Sequence, residues 1–128
     1  MNRKILLACQ FAATVDNALA QSALPPKMEG RWSNPASGHS NKVEVELVRM
    51  ETPGAAVIKI VWWPYCQVAE TRAEFIDGAW KFSPQNCANK SGPMTITARV
   101  KPVEGKNRLE GYYGSREGPV KTVYLEWE

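Results

Sequence analysis

From Gly30 onward almost every segment between turn residues alternates apolar and polar side chains with a period of two, a pattern that half-buried β-strands produce and helices do not. Successive strand side chains point to opposite faces, so the alternation assigns each residue to core or solvent. Residues 42–50, KVEVELVRM, place Val43, Val45 and Leu47 on one face and Glu44 and Glu46 on the other. After a turn at Thr52-Pro53-Gly54, residues 57–63 set Ile58, Ile60 and Trp62 against Val57, Lys59, Val61 and Trp63. A lysine inside a strand marks the wet face, which assigns Trp62 to the core and Trp63 to the outside. The assignment rests on the phase of Lys59, and a β-bulge ahead of Pro64 would exchange the two roles. Pro64 ends or edges that strand, having no amide hydrogen to donate.

Residues 71–76 and 79–82 read as a hairpin around Asp77-Gly78, with Phe75, Trp80 and Phe82 inward. Residues 84–93 read as a polar loop that holds Cys87. Residues 94–103 alternate Met94, Ile96, Ala98 and Val100 with Thr95, Thr97, Arg99 and Lys101. Residues 108–114 and 120–127 complete the set across Glu117-Gly118-Pro119, with Val123, Leu125 and Trp127 on one face. With a short first strand at 30–34 there are about eight strands, joined mostly by tight turns. This predicts an all-β fold, a small antiparallel up-and-down β-barrel, with a two-sheet β-sandwich as the alternative. Consecutive hairpins need no crossover, and closing the sheet removes its edges, so the barrel is preferred.

The first twenty residues read differently. Arg3 and Lys4 give a basic start, residues 5–15 are mostly apolar, and Ala18-Leu19-Ala20 is the small-x-small pattern of a signal-peptidase site. The expected organisation is a signal peptide at 1–20, a linker at 21–29 and one barrel domain at 30–128. "LLAC", residues 6–9, offers an alternative in which Cys9 is lipidated, with a much shorter apolar segment. Removing the signal leaves Cys66 and Cys87 as a pair, and an exported chain with two cysteines most simply joins them. That disulfide would close a loop of about 20 residues, for which the chain-entropy estimate is on the order of 3 kcal/mol. The expected location is periplasmic or secreted.

The chain carries 16 Lys and Arg against 13 Asp and Glu, and the signs are interspersed. That describes a solvated surface without a nucleic-acid stripe. His39 is the single histidine, and its neighbours Ser37 and Ser40 lie on the same loop, with no third group to orient a nucleophile and base. The acidic residues alternate outward or sit in turns, and no phosphate loop, dinucleotide fingerprint or metal signature is present. One histidine and no CxxC argue against zinc. The expectation is a protein that is not an enzyme and uses no cofactor or metal. Asn89-Lys90-Ser91 fits the glycosylation acceptor pattern.

By the face assignment Trp32, Trp62, Trp80 and Trp127 point inward with Phe75, Phe82 and Tyr113, either filling the barrel or lining a cavity at its mouth. Trp63, Tyr112 and Tyr124 fall on the polar side of their strands, and Tyr65 lies just past Pro64. Flat rings presented to water are platforms for sugars or partner proteins.

"GRWSN", residues 30–34, resembles the opening Gly-x-Trp strand of lipocalin-like and avidin-like (calycin) barrels, and Gly-x-Trp-x-Asn is similar to the avidin form. Residues 108–127, "RLEGYYGSREGPVKTVYLEW", resemble the penultimate avidin hairpin. The resemblance implies a barrel that captures a small molecule at its mouth. It also implies that Asn34, with Ser37 or Ser40, contacts a ureido group such as biotin's. Pro35 follows the asparagine directly, and Asn34-Pro35 reads more simply as a turn initiator. The expected function is an exported, non-enzymatic binding protein for a small molecule or saccharide, acting through Trp32, Asn34, Trp62, Trp63, Trp80, Tyr112, Tyr124 and Trp127. The alternative is an envelope or secreted protein–protein interaction factor, such as an enzyme inhibitor.

Overall fold

A computed structural model describes residues 22–114 and 121–128. The segment read as a signal peptide, Cys9 within it, and the turn at Glu117-Gly118-Pro119 lie outside the described residues. The strands are β1 (Lys27–Asn34), β2 (His39–Thr52), β3 (Ala55–Trp62), β4 (Cys66–Ile76), β5 (Ala79–Phe82), β6 (Cys87–Asn89), β7 (Gly92–Met94), β8 (Ala98–Pro102), β9 (Arg108–Tyr113) and β10 (Lys121–Glu126). Eight of them close a barrel in the order β1-β10-β9-β8-β5-β4-β3-β2, and β6 and β7 form a separate two-stranded hairpin. Every neighbouring pair is antiparallel. The up-and-down barrel is therefore the fold, and the sandwich is not.

The alternation sorts the side chains as anticipated where strands are regular. Val43, Ile58, Ile60, Trp62, Ala98, Val100 and Leu125 are fully enclosed, while Trp63 is 49% exposed. Lys59 keeps the phase of β3 through to Trp62, because the irregularity between β3 and β4 places its extra residue on β4.

Bulges explain where the period-two reading departs from the structure. In β2 the pairing steps from Leu47–Ile58 to Arg49–Val57, which leaves Val48 extra and exposed and turns Met50 toward the core. In β4 it steps from Val68–Ile60 to Thr71–Ile58, so the inward phase changes from even to odd residues. That change hid the first part of β4, which begins at Cys66 and not at residue 71. Val57 is on the outer face, as its phase requires, yet is only 7% exposed. Arg49 of β2 pairs with Glu70 of β4 at 3.5 Å, and Arg72 of β4 with Glu51 of β2 at 3.8 Å. Both bridges cross β3, and their aliphatic stems cover the valine.

Three further departures lie outside the regular barrel strands. The loop at 84–93 contains the β6–β7 hairpin, and the strand expected at 94–103 is broken between Met94 and Ala98. Across that break Ser83 Oγ donates to Ile96 O at 2.8 Å and Gly114 N to Thr97 O at 3.0 Å, which satisfies the backbone without a ladder. Residues 22–29, read above as a linker, are packed on the barrel where described. Leu24 and Met28 are buried, Gly54 N donates to Ser22 O at 2.8 Å and Leu47 N to Pro26 O at 2.9 Å.

Gly30 of β1 and Gly111 of β9 occupy inward positions, between Met28 and Trp32 and between Leu109 and Tyr113. A Cβ on Gly30 would overlap the Tyr124 carbonyl oxygen, and one on Gly111 the Arg99 carbonyl oxygen. Small inward residues let the strands coil tightly enough to close. Gly30→Ala and Gly111→Ala are each expected to cost about 2 kcal/mol or more as backbone is forced aside. Thermal melting checks this, and a variant that melts with the parent would show that the sheet absorbs the methyl group freely.

Candidate functional site

Three connections meet at one end of the barrel. The β1–β2 turn begins at Asn34, whose Oδ1 accepts from Ala36 N at 3.1 Å, while Gly38 N donates to Asn34 O at 2.9 Å. The β3–β4 connection carries a cis Trp63–Pro64 peptide, and Tyr65 N donates back to Trp62 O at 2.8 Å. That reversal turns the Tyr65 ring over the barrel end instead of outward. The third connection is the β6–β7 hairpin. It is drawn over the same end by the Cys66–Cys87 disulfide, with Cα atoms 4.5 Å apart, and by a hydrogen bond from Ala88 N to Tyr65 O at 3.1 Å. The disulfide joins the first residues of β4 and β6, and it is consistent with an oxidising, exported compartment.

Beneath these loops lies a ladder of rings. Trp62 meets Tyr113 edge-on at 5.0 Å, Tyr113 meets Trp32 at 6.1 Å, and Trp32 meets Tyr65 at 5.4 Å. Trp32 Nε1 donates to the Trp63 carbonyl at 2.5 Å, which fixes the indole at the rim. Burial, reinforced by Tyr65, pushes the Tyr113 phenol up to about 12, so it stays protonated throughout the neutral range.

Above the ladder is an open cleft of about 1010 Å³. Trp32, Pro64 and Tyr65 supply its apolar surface, while His39, Ser40, Asn41, Asn89, Lys90 and Ser91 supply polar walls. The barrel below is filled. A cavity able to admit a ligand leaves accessible area on its lining, and Ile58, Ile60, Trp62 and Val100 have none. Among the described residues, space for a ligand therefore lies only at the rim and on the exterior. The described residues contain no group of three or more His, Cys, Asp or Glu that could hold a metal ion. The Ser37 hydroxyl accepts from the His39 backbone amide at 3.2 Å, a turn contact with no bearing on the imidazole.

The structure distributes the anticipated site residues over three places. Trp32 is at the cleft, and Trp62 lies below it, fully enclosed. Asn34 and Ser37 are spent on their turn, which is the turn-initiator reading of Asn34-Pro35, whereas Ser40 does line the cleft. Trp80 packs on Phe75 at 5.5 Å and joins the half-buried Trp127 at the opposite end, along a groove of about 750 Å³. Trp63 and Tyr112 are exposed, but the sheet order sets β2, β1 and β10 between their strands. Tyr124 is half-buried under Arg108, whose guanidinium lies 4.0 Å over the ring and is held by Glu110 at 2.6 Å and Glu126 at 2.9 Å. The outer rings thus form no continuous patch.

Sequence reasoning missed Asn41, Lys90 and the inward turn of Tyr65. The cysteine pair held the usable signal, since bonding Cys66 to Cys87 must bring residues 88–91 to the neighbours of Cys66. No helix among the described residues is long and apolar enough to cross a membrane. The chain matches no known protein-family model, no curated protein and no solved structure.

Proposed function

We propose that the protein is an exported, non-enzymatic binding protein, periplasmic or secreted, that captures a small molecule or a saccharide at the mouth of its barrel. One observation carries this reading: an open cleft with an aromatic floor and polar walls, built from three connections, one of them fastened by a disulfide. An apolar surface with a few convergent polar groups is the ordinary composition of a small-ligand site. The rings offer area at low entropic cost to the C–H face of a sugar, and hydroxyl, amide and ammonium groups around them suit its hydroxyls. A wall held in place before the ligand arrives lowers the ordering cost of binding. The resemblance to avidin-like and lipocalin-like barrels implies capture at a barrel mouth, although a fold does not name a ligand, and Asn34 is committed to its turn. The half-exposed Trp63 favours a second reading, an envelope or secreted interaction factor such as an enzyme inhibitor.

A thermal-shift screen of metabolites and glycans tests the first reading. A ligand at a hundred times its Kd raises stability by about 2.7 kcal/mol. The shift is expected in the parent and lost in Tyr65→Ala. No shift with any metabolite or glycan, together with a partner protein that copurifies with the parent and is lost in Trp63→Ala, would favour the second reading.

A further inference from the structure

We propose that the outer face where β10, β1, β2 and the end of β3 run side by side is a second binding site, one that takes an acidic polysaccharide. Arg31 of β1 stands directly opposite Lys42 of β2 in the barrel register. Like charges placed opposite each other on a sheet repel. Among the described residues no carboxylate lies within ion-pair distance of either, and Arg31 donates instead to Ser40 Oγ at 3.2 Å. Elsewhere on the exterior Arg49, Arg72 and Arg108 are each held by one or two glutamates. The fold thus places side by side two cations that no carboxylate holds in an ion pair, a local cost that an anionic ligand would relieve.

The surroundings say what kind of anion fits. Arg31 is flanked on β10 by Tyr124, and Lys42 accepts from Trp63 N at 3.0 Å, so one row across the sheet reads Tyr124, Arg31, Lys42, Trp63. Three strand spacings make that row roughly 14 Å long, the reach of a short oligosaccharide. Toward the mouth the neighbouring row is uncharged, with Ser33 opposite Ser40 and Thr122. In the other direction lie Glu126, Glu29 and Glu44, of which Glu126 is paired with Arg108 and Glu29 with Lys27, so the cationic strip is one row wide and an acidic chain must run along it. Guanidinium and ammonium take the carboxylate or sulfate, the half-exposed indole of Trp63 takes a pyranose face, and the serines face ring hydroxyls. Two cations and one free ring make a poor track for a nucleic acid, which uses a longer basic groove and several stacking rings.

The test is binding of the full chain at low salt to five probes: polygalacturonate, a sulfated glycosaminoglycan, neutral dextran, polyglutamate and an oligothymidylate. Binding to at least one acidic polysaccharide is expected, weakening as salt rises, and whichever binds tighter identifies the anionic group. Arg31→Thr and Lys42→Thr should each weaken it about tenfold, as loss of one charged hydrogen bond does, while the melting temperature stays level or rises because repulsion is relieved. Trp63→Ala should also weaken it. Tyr65→Ala, which removes the floor of the mouth, should leave it intact, and this separates the proposal from the mouth reading. Full affinity in a variant that combines Arg31→Thr and Lys42→Thr, no binding to either acidic polysaccharide, or equal binding of dextran, polyglutamate or oligothymidylate overturns the proposal.

Discussion

Replacing Trp62 with alanine is expected to cost about 3 to 5 kcal/mol, the range for truncating a large ring in a closed core. In a domain of this size that is a fall in melting temperature of roughly 15 °C or more, and the variant should accumulate poorly. Trp62 is fully enclosed and stacked edge-on against Tyr113, so its removal opens a void at the layer that supports Trp32 and Tyr65. Trp63→Ala one residue later should stay within about 0.5 kcal/mol of the parent, as exposed substitutions do. The contact it makes to Trp32 uses its backbone carbonyl, which alanine keeps. Paired thermal melts decide the matter. Equal losses from the two substitutions would mean that the alternation misplaces both rings.

The second large effect concerns the disulfide. Replacing Cys66 and Cys87 together by serine should cost about 2 to 5 kcal/mol, the range for a native bridge in a small secreted domain. The bridge spans a sequence separation of 21 and ties the start of β4 to the hairpin that forms one wall of the cleft. Without it the backbone link between them among the described residues is the bond from Ala88 N to Tyr65 O. Ligand stabilisation should therefore fall even at temperatures where the barrel remains folded. Melting under oxidising and reducing conditions checks the first effect, and titration of the double variant checks the second. Full ligand stabilisation in the double variant would remove the hairpin from the site.

Much of the fold was legible because a barrel strand obeys a simple rule, inward then outward. Val43, Val45, Ile58, Ile60 and Trp62 follow it, and Asp77-Gly78 folds as its residue types demand, with φ of 52° and 78°. Alternation misleads where the rule changes phase. Val48 and the step between Val68 and Thr71 each shift it by one, and nothing in a period-two pattern marks an inserted residue in advance. Val57 was placed on the correct face yet is covered, because the ion pairs that shield it join β2 to β4 and exist only once the strands are ordered. The mouth was less legible than the barrel for the same reason. Its residues come from separate connections, and only the cysteine pair linked two of them in advance. Asn34 carried the family resemblance but is held in its turn, whereas Tyr65, counted among the outer rings, turned inward at the reversal after Pro64.

The central claim is that ligand is captured at the mouth, and tryptophan fluorescence tests it through one ring. Trp32 lies at the cleft against Tyr65, while Trp63 faces solvent on the side of the barrel. A ligand from the thermal-shift screen should change the emission of the parent and of Trp63→Phe alike, and the change should disappear in Trp32→Phe. A response that persists in Trp32→Phe and disappears in Trp63→Phe for every ligand found, with none that depends on Trp32, would contradict the account and leave the outer face as the binding surface.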